Sequence, residues 1–136
     1  MSGGIAVAAA VLVAATAFGL WRRWRDGRMR AVDDGRLRSG DLGAELGERA
    51  TLVQFSTAFC APCRTTRRIL DEVAGMVDGV VHVEVDAEAN LDLVRRLEIV
   101  RTPTVLVLDA GGRIVRRASG APRKIDVIAA LGTAVT

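Results

Sequence analysis

Apolar and polar positions divide this chain into three regimes. Residues 3–21 carry no charge. Residues 25–36, "RDGRMRAVDDGR", are polar, contain glycine and show no period, which predicts a linker. Beyond them, short apolar runs alternate with amphipathic ones. "DLGAEL", 41–46, predicts a short helix, and "TLVQF", 51–55, an apolar strand. From Cys60 to Val77 the residues Thr66, Leu70, Val73 and Val77 share one helical face, and Gly79 ends the run. "VVHVEVD", 80–86, predicts a β-branched strand and "ANLDLVRRL", 89–97, a second helix. "TVLVLD", 104–109, and "RIVRRAS", 113–119, predict two strands around an "AGG" turn, and "KIDVIAAL" predicts a closing amphipathic helix.

The order is β-α-β-α, then a β-hairpin and a last helix. Leu52–Phe55 and Val105–Leu108 are apolar on both faces, so both faces need cover. That predicts an α/β domain with a central sheet and helices on both sides. No internal repeat and no low-complexity tract interrupts it. Aromatic residues are scarce, so Val, Leu, Ile and Ala must fill the core.

The uncharged opening segment predicts a transmembrane helix over residues 1–21. With Met1 to Gly4 and Trp21 it reaches about 20 residues, enough for a bilayer core of ~30 Å. Trp21 and Trp24 stand where an aromatic belt would form. A cleaved signal peptide wants basic residues before its apolar run. Here they follow it instead: Arg22, Arg23, Arg25, Arg28 and Arg30. Arg flanks stay cytoplasmic, so the expected topology is single-pass, N-out and C-in, at the cell membrane. The expected organisation is an anchor at 1–21, a basic juxtamembrane linker at 22–34 and a folded domain at 35–136.

Charge changes the picture once more. Residues 1–30 hold five Arg and one Asp, whereas residues 31–136 hold 14 basic and 15 acidic residues. The basic character therefore belongs to the tail. The domain has no basic surface with which to hold nucleic acid.

The candidate chemistry is in "FSTAFCAPCRTTRR", 55–68, which holds the only two cysteines, Cys60 and Cys63. A haem clip would need His where Arg64 stands. A structural zinc wants four ligands, and only His82 adds another soft one. A static bridge across so small a loop would remove little chain entropy. A redox pair fits better. Cys60 falls where a strand ends and a helix begins, where backbone N–H groups and the helix dipole stabilise a thiolate. Pro62 suits the first helical turn. Cys60 is then the nucleophile, and Cys63, one turn on, resolves the mixed disulfide. Arg67 and Arg68 are expected to pair with Asp71 and Glu72 at i,i+4 spacing on a solvated face.

Over residues 35–134 the chain resembles the thioredoxin family. "LVQFSTAFCAPC" is similar to that family's strand and active-site turn, and "VHVEVD" to its next strand. "RLEIVRTPTVLVLDAGG" resembles the segment bearing its cis-proline, and "SGAP" its glycine loop. The resemblance implies a thioredoxin-like mixed sheet behind one N-terminal transmembrane helix, with Pro103 cis against the cysteines. It implies a substrate groove formed by Phe59, Ala61, Pro62, Thr102, Pro103 and Gly120, in which Thr102 offers backbone hydrogen bonds. Phe59 stands where the family usually has Trp, and Ala61 where it usually has Gly. Gln54 replaces the family's buried acid and His82 its nearby Lys, which makes His82 and Gln54 a candidate proton-acceptor region for Cys63.

The resulting expectation is a membrane-tethered protein-disulfide reductase that needs no cofactor or metal and works as a monomer. Its partners would be disulfide-containing proteins and an upstream electron donor. Two other readings stay open at this point. One is an extracytoplasmic reductase of apocytochrome or metallochaperone cysteines. The other is a non-enzymatic CxxC module for metal binding or redox sensing.

Overall fold

A computed structural model describes every residue except Asp33. Helix α1 runs over Ser2–Arg25, and none of its residues is buried. Strand β1 is only Arg30–Ala31, and helix α2 spans Ser39–Leu42. Strand β2 (Ala50–Ser56), helix α3 (Ala61–Met76) and strand β3 (Val80–Asp86) follow, then helix α4 (Leu91–Arg96). Strands β4 (Thr104–Asp109) and β5 (Ile114–Ser119) form the hairpin, and helix α5 (Lys124–Ala134) closes the chain.

The sheet order is β1-β5-β4-β2-β3. β2 and β3 are parallel, with Leu52 opposite His82 and Gln54 opposite Glu84. A parallel pair needs a long crossover, and α3 supplies it. The β2–β4, β4–β5 and β1–β5 pairs are antiparallel.

Alternation along the central strands builds two cores. Val53, Phe55, Leu106 and Leu108 pack with Val83, Val85, Leu93 and Leu97 on the α4 side. Ala50, Leu52, Val105 and Val107 pack with Leu70, Val73, Val127 and Leu131 beneath α3 and α5. The doubly apolar strands expected from the sequence are thus covered on both faces. α3 buries Cys63, Thr66, Leu70 and Val73, the face its periodicity indicates.

Two expectations change. The stretch 25–36 behaves as part of the domain. Arg30 and Ala31 pair with Arg117 and Arg116, Val32 N–H donates to the Val115 carbonyl, and Ile114 N–H donates to the Gly35 carbonyl. Backbone groups decide this, so side-chain periodicity could not reveal it. The short helix sits earlier than "DLGAEL" suggests. Arg38 N–H donates to Asp41 Oδ2 at 2.9 Å, and Gly43 ends the helix with a φ of 67°.

Candidate functional site

β2 delivers the chain to a short turn, and α3 begins at once. Cys60 is the N-cap of α3, and Pro62 lies in its first turn, where a missing N–H costs nothing. Cys60 and Cys63 are joined by a disulfide, with their Cα atoms 5.3 Å apart. Their environments differ: Cys60 is half-buried, whereas Cys63 is only 1% exposed.

The remaining residues expected to form a groove come from distant sequence. The Thr102–Pro103 bond is cis, as the resemblance implies. Thr102 Oγ1 lies 3.4 Å from Thr57 Oγ1, which ties the proline loop to the turn before Cys60. Gly120 adopts a φ of 102°, and its N–H donates to the Pro103 carbonyl at 2.8 Å. Pro62, Thr102, Pro103 and Gly120 line one cleft of about 810 Å³. Phe59 and Ala61 are exposed on the turn, Phe59 almost completely.

The cleft has a wall that the sequence did not announce. Trp24 and Arg23, from the last turn of α1, line it together with Asp26, Gly27 and Arg28. Asp26 accepts a 2.9 Å hydrogen bond from Arg101 Nη1, next to Thr102. That bond, reinforced by the positive charges of Arg101 and Arg22, holds the Asp26 carboxyl below its usual range. Positions 26 and 101 are too far apart for any local pattern to show the pair.

Behind the cysteines lies a polar chain. Gln54 is fully buried, and its Nε2 donates to the Cys63 carbonyl at 2.9 Å. A carbonyl can only accept, so this contact sets the amide's orientation. Gln54 Oε1 then faces His82 Nε2 at 3.1 Å and must accept from it. His82 Nδ1 lies 2.6 Å from Asp71 Oδ1. The His82 side chain is 7% exposed and that of Asp71 64%, so the chain runs from the core to water.

His82 and Gln54 are therefore neighbours behind Cys63. In this arrangement Nε2 donates, and Asp71 is the group that meets solvent. The spacing-based pairs on α3 do not form. Arg67 binds Glu84 of β3 with two hydrogen bonds of 2.7 and 2.9 Å, Asp71 binds His82, and Glu72 binds Lys124 of α5. Cross-element partners displaced the i,i+4 ones because α3 packs beside both β3 and α5.

The thioredoxin family model matches residues 42–133, and the chain belongs to that family. It is a thioredoxin-family redox protein with a disulfide-capable cysteine pair. Thioredoxin of Mycolicibacterium smegmatis is 31% identical over 108 residues, covering 77% of this chain and 93% of that one. Human thioredoxin domain-containing protein 2 is 40% identical over 60 residues, 44% of this chain. The chain spans only 11% of that human protein, and 19% of the bifunctional thioredoxin reductase/thioredoxin of Mycobacterium leprae. Among solved structures, malaria parasite thioredoxin-2 superposes with a TM-score of 0.60 at 18% identity. It covers 76% of this chain and 99% of its own, a likeness of fold. α1 is long and apolar enough to cross a membrane, a test that a signal sequence also passes.

Proposed function

We propose that this protein is a membrane-tethered protein-disulfide reductase. The observation that carries the reading is the asymmetry of the cysteine pair. Cys60 caps α3 and reaches solvent, whereas Cys63 is shut beneath it. In the reduced form, the Cys60 thiolate attacks a substrate disulfide. An S–S bond forms between Cys60 and one substrate sulfur, and the other substrate sulfur leaves as a thiolate. Cys63 loses its proton and attacks Cys60 Sγ, which expels the second substrate sulfur. The substrate has gained two electrons, and the enzyme is left in the disulfide state described here. An upstream dithiol donor returns the pair to the reduced state by the same exchange in reverse.

Phe59, Ala61 and Pro62 on one side, with Thr102, Pro103 and Gly120 on the other, hold the substrate segment while sulfur exchanges. Gln54 and His82 hold the Cys63 end of α3. For His82 to take the Cys63 proton it must first release Gln54, so in the oxidised form it acts as a positioning residue. Residues 1–21 anchor the domain, and the arginines after them place it in the cytoplasm, where external donors keep thiols reduced.

Insulin reduction tests the activity. Cys60→Ser should fall to the uncatalysed rate, and Cys63→Ser should accumulate a mixed disulfide with its substrate. Full activity in Cys60→Ser would end this reading. A membrane-impermeant maleimide tests the topology: it should label reduced Cys60 only after lysis, and labelling of intact cells would move the domain outside.

A further inference from the structure

The end of the anchor and the substrate groove share surface, and that sharing is built from backbone. Gly27 N–H donates to the Ser119 carbonyl at 2.8 Å, and Gly27 holds a φ of 74°. A β-carbon there would lie within the contact radius of the Ala121 carbonyl, so only glycine fits. A β-carbon on Gly120 would sit 3.0 Å from Gly27 N and 3.3 Å from Arg101 Nη2. The two glycines are pressed together, and the Asp26–Arg101 ion pair closes the contact beside Thr102. The cleft that holds Pro62, Pro103 and Gly120 therefore begins at Arg23 and Trp24, in the last turn of α1.

We infer that residues 23–28 are a fixed wall of the substrate groove, and that the groove takes disulfides lying at the bilayer surface on integral membrane proteins. The inference rests on the reading of residues 1–21 as a membrane anchor. A domain on a loose tether would sample a wide shell of heights above the bilayer. This one has no loose tether: Asp26 follows α1 directly, Gly27 is already bonded to Ser119, and Arg30 already pairs in the sheet. The reacting sulfur is thus held within reach of the place where α1 leaves the lipid. Exposed Trp24 and Phe59 give the same region apolar contacts suited to an interface.

The test uses the full chain in phosphatidylcholine vesicles. The probes are disulfide peptides on a lipid anchor, with polyproline spacers of zero, five or ten residues. At ~3.1 Å per residue these raise the disulfide by about 0, 15 and 31 Å. The native chain should reduce the shortest probe at least tenfold faster than the longest. Ten Gly/Ser residues inserted between Arg25 and Asp26 separate anchor from groove and leave the Asp26 and Gly27 contacts in place. That variant should show rates within about twofold across the three probes. Asp26→Arg sets two cations against each other and should flatten the profile partly, and Asp26→Arg with Arg101→Asp should restore it. Equal slopes in the native and inserted chains, with both floating with the vesicles, would overturn this inference alone. A native chain that fails to float would overturn the anchor reading and this inference with it.

Discussion

The two sides of β2 solve the same burial problem in opposite ways. On the α4 side, Val53 and Phe55 enter an apolar core, and the one polar residue on that face of β2, buried Thr51, is satisfied by a 2.9 Å hydrogen bond from the Gly47 backbone N–H. On the α3 side, Ala50 and Leu52 are followed by Gln54, fully buried beneath the active-site helix. Around Val53 and Phe55 that side needs only volume and contact. The polar side needs each amide atom matched, and the structure supplies the Cys63 carbonyl at one end and His82 at the other. A buried polar group that is fully satisfied specifies one arrangement. The apolar side secures stability, whereas the polar side secures the position of Cys63.

The largest effect that would sharpen this contrast is on the apolar side. Phe55→Ala should cost about 3–5 kcal/mol of stability, read from urea unfolding. Its effect on insulin reduction, measured well below the unfolding midpoint, should be small by comparison. Gln54→Leu keeps the volume but strands the Cys63 carbonyl contact and the His82 N–H. It should cost about 1–3 kcal/mol, and it should slow resolution of the Cys60 mixed disulfide in stopped-flow measurements. A Gln54→Leu protein with native stability and native resolution would dissolve the distinction between the two sides.

His82→Ala removes two hydrogen bonds, to Gln54 Oε1 and to Asp71 Oδ1, and should cost about 1–2 kcal/mol. It should slow resolution more than the first attack by Cys60, because Gln54 loses the partner that holds it under Cys63. His82→Gln, whose Nε2 reaches as far as the imidazole Nε2 and can still donate to Gln54 Oε1, should recover part of the resolution rate. Equal slowing of both steps would show that His82 only supports the fold.

The smallest effect lies far from this chain, at Asp41, and serves as its surface control. The Arg38 backbone N–H, followed by the Arg96 guanidinium, holds the Asp41 carboxyl below its usual range. A carboxylate depressed on folding adds stability above its unfolded value and loses it as pH falls through the lower folded value. The stability gap between the native chain and Asp41→Asn should therefore be constant from neutral pH down to about 4 and close below it. Urea midpoints across that range would show it, and a gap that widened in acid would contradict the sign.

How much of this was legible in the sequence depended on how local each signal was. α3 was readable because Thr66, Leu70 and Val73 repeat on one face, and Cys60 because it stands at a strand–helix junction. β2 and β4 were readable because both their faces are apolar. The pairing of Gly27, Arg30, Ala31, Val32 and Gly35 with β5 was not readable. It uses N–H and C=O groups, which every residue carries, so no side-chain pattern records it. The partners of Asp71 and Glu72 were misjudged for a related reason. Spacing supplies a neighbour at i,i+4, but it cannot say that β3 and α5 will offer closer ones.

By itself, the sequence determined the element order, the two-sided burial of the central strands, the redox character of the cysteine pair and the exposed apolar helix ahead of the domain. These follow from periodicity and from chemistry within a few residues. Only the tertiary structure decided that the Gln54 amide holds the Cys63 carbonyl. Only it linked Asp71, His82 and Gln54 into one chain, and only it laid the end of α1 against Pro103 and Gly120. Those contacts join residues 9 to 93 positions apart. Such pairs form when packing of the two cores brings whole elements together, and no local preference encodes that step.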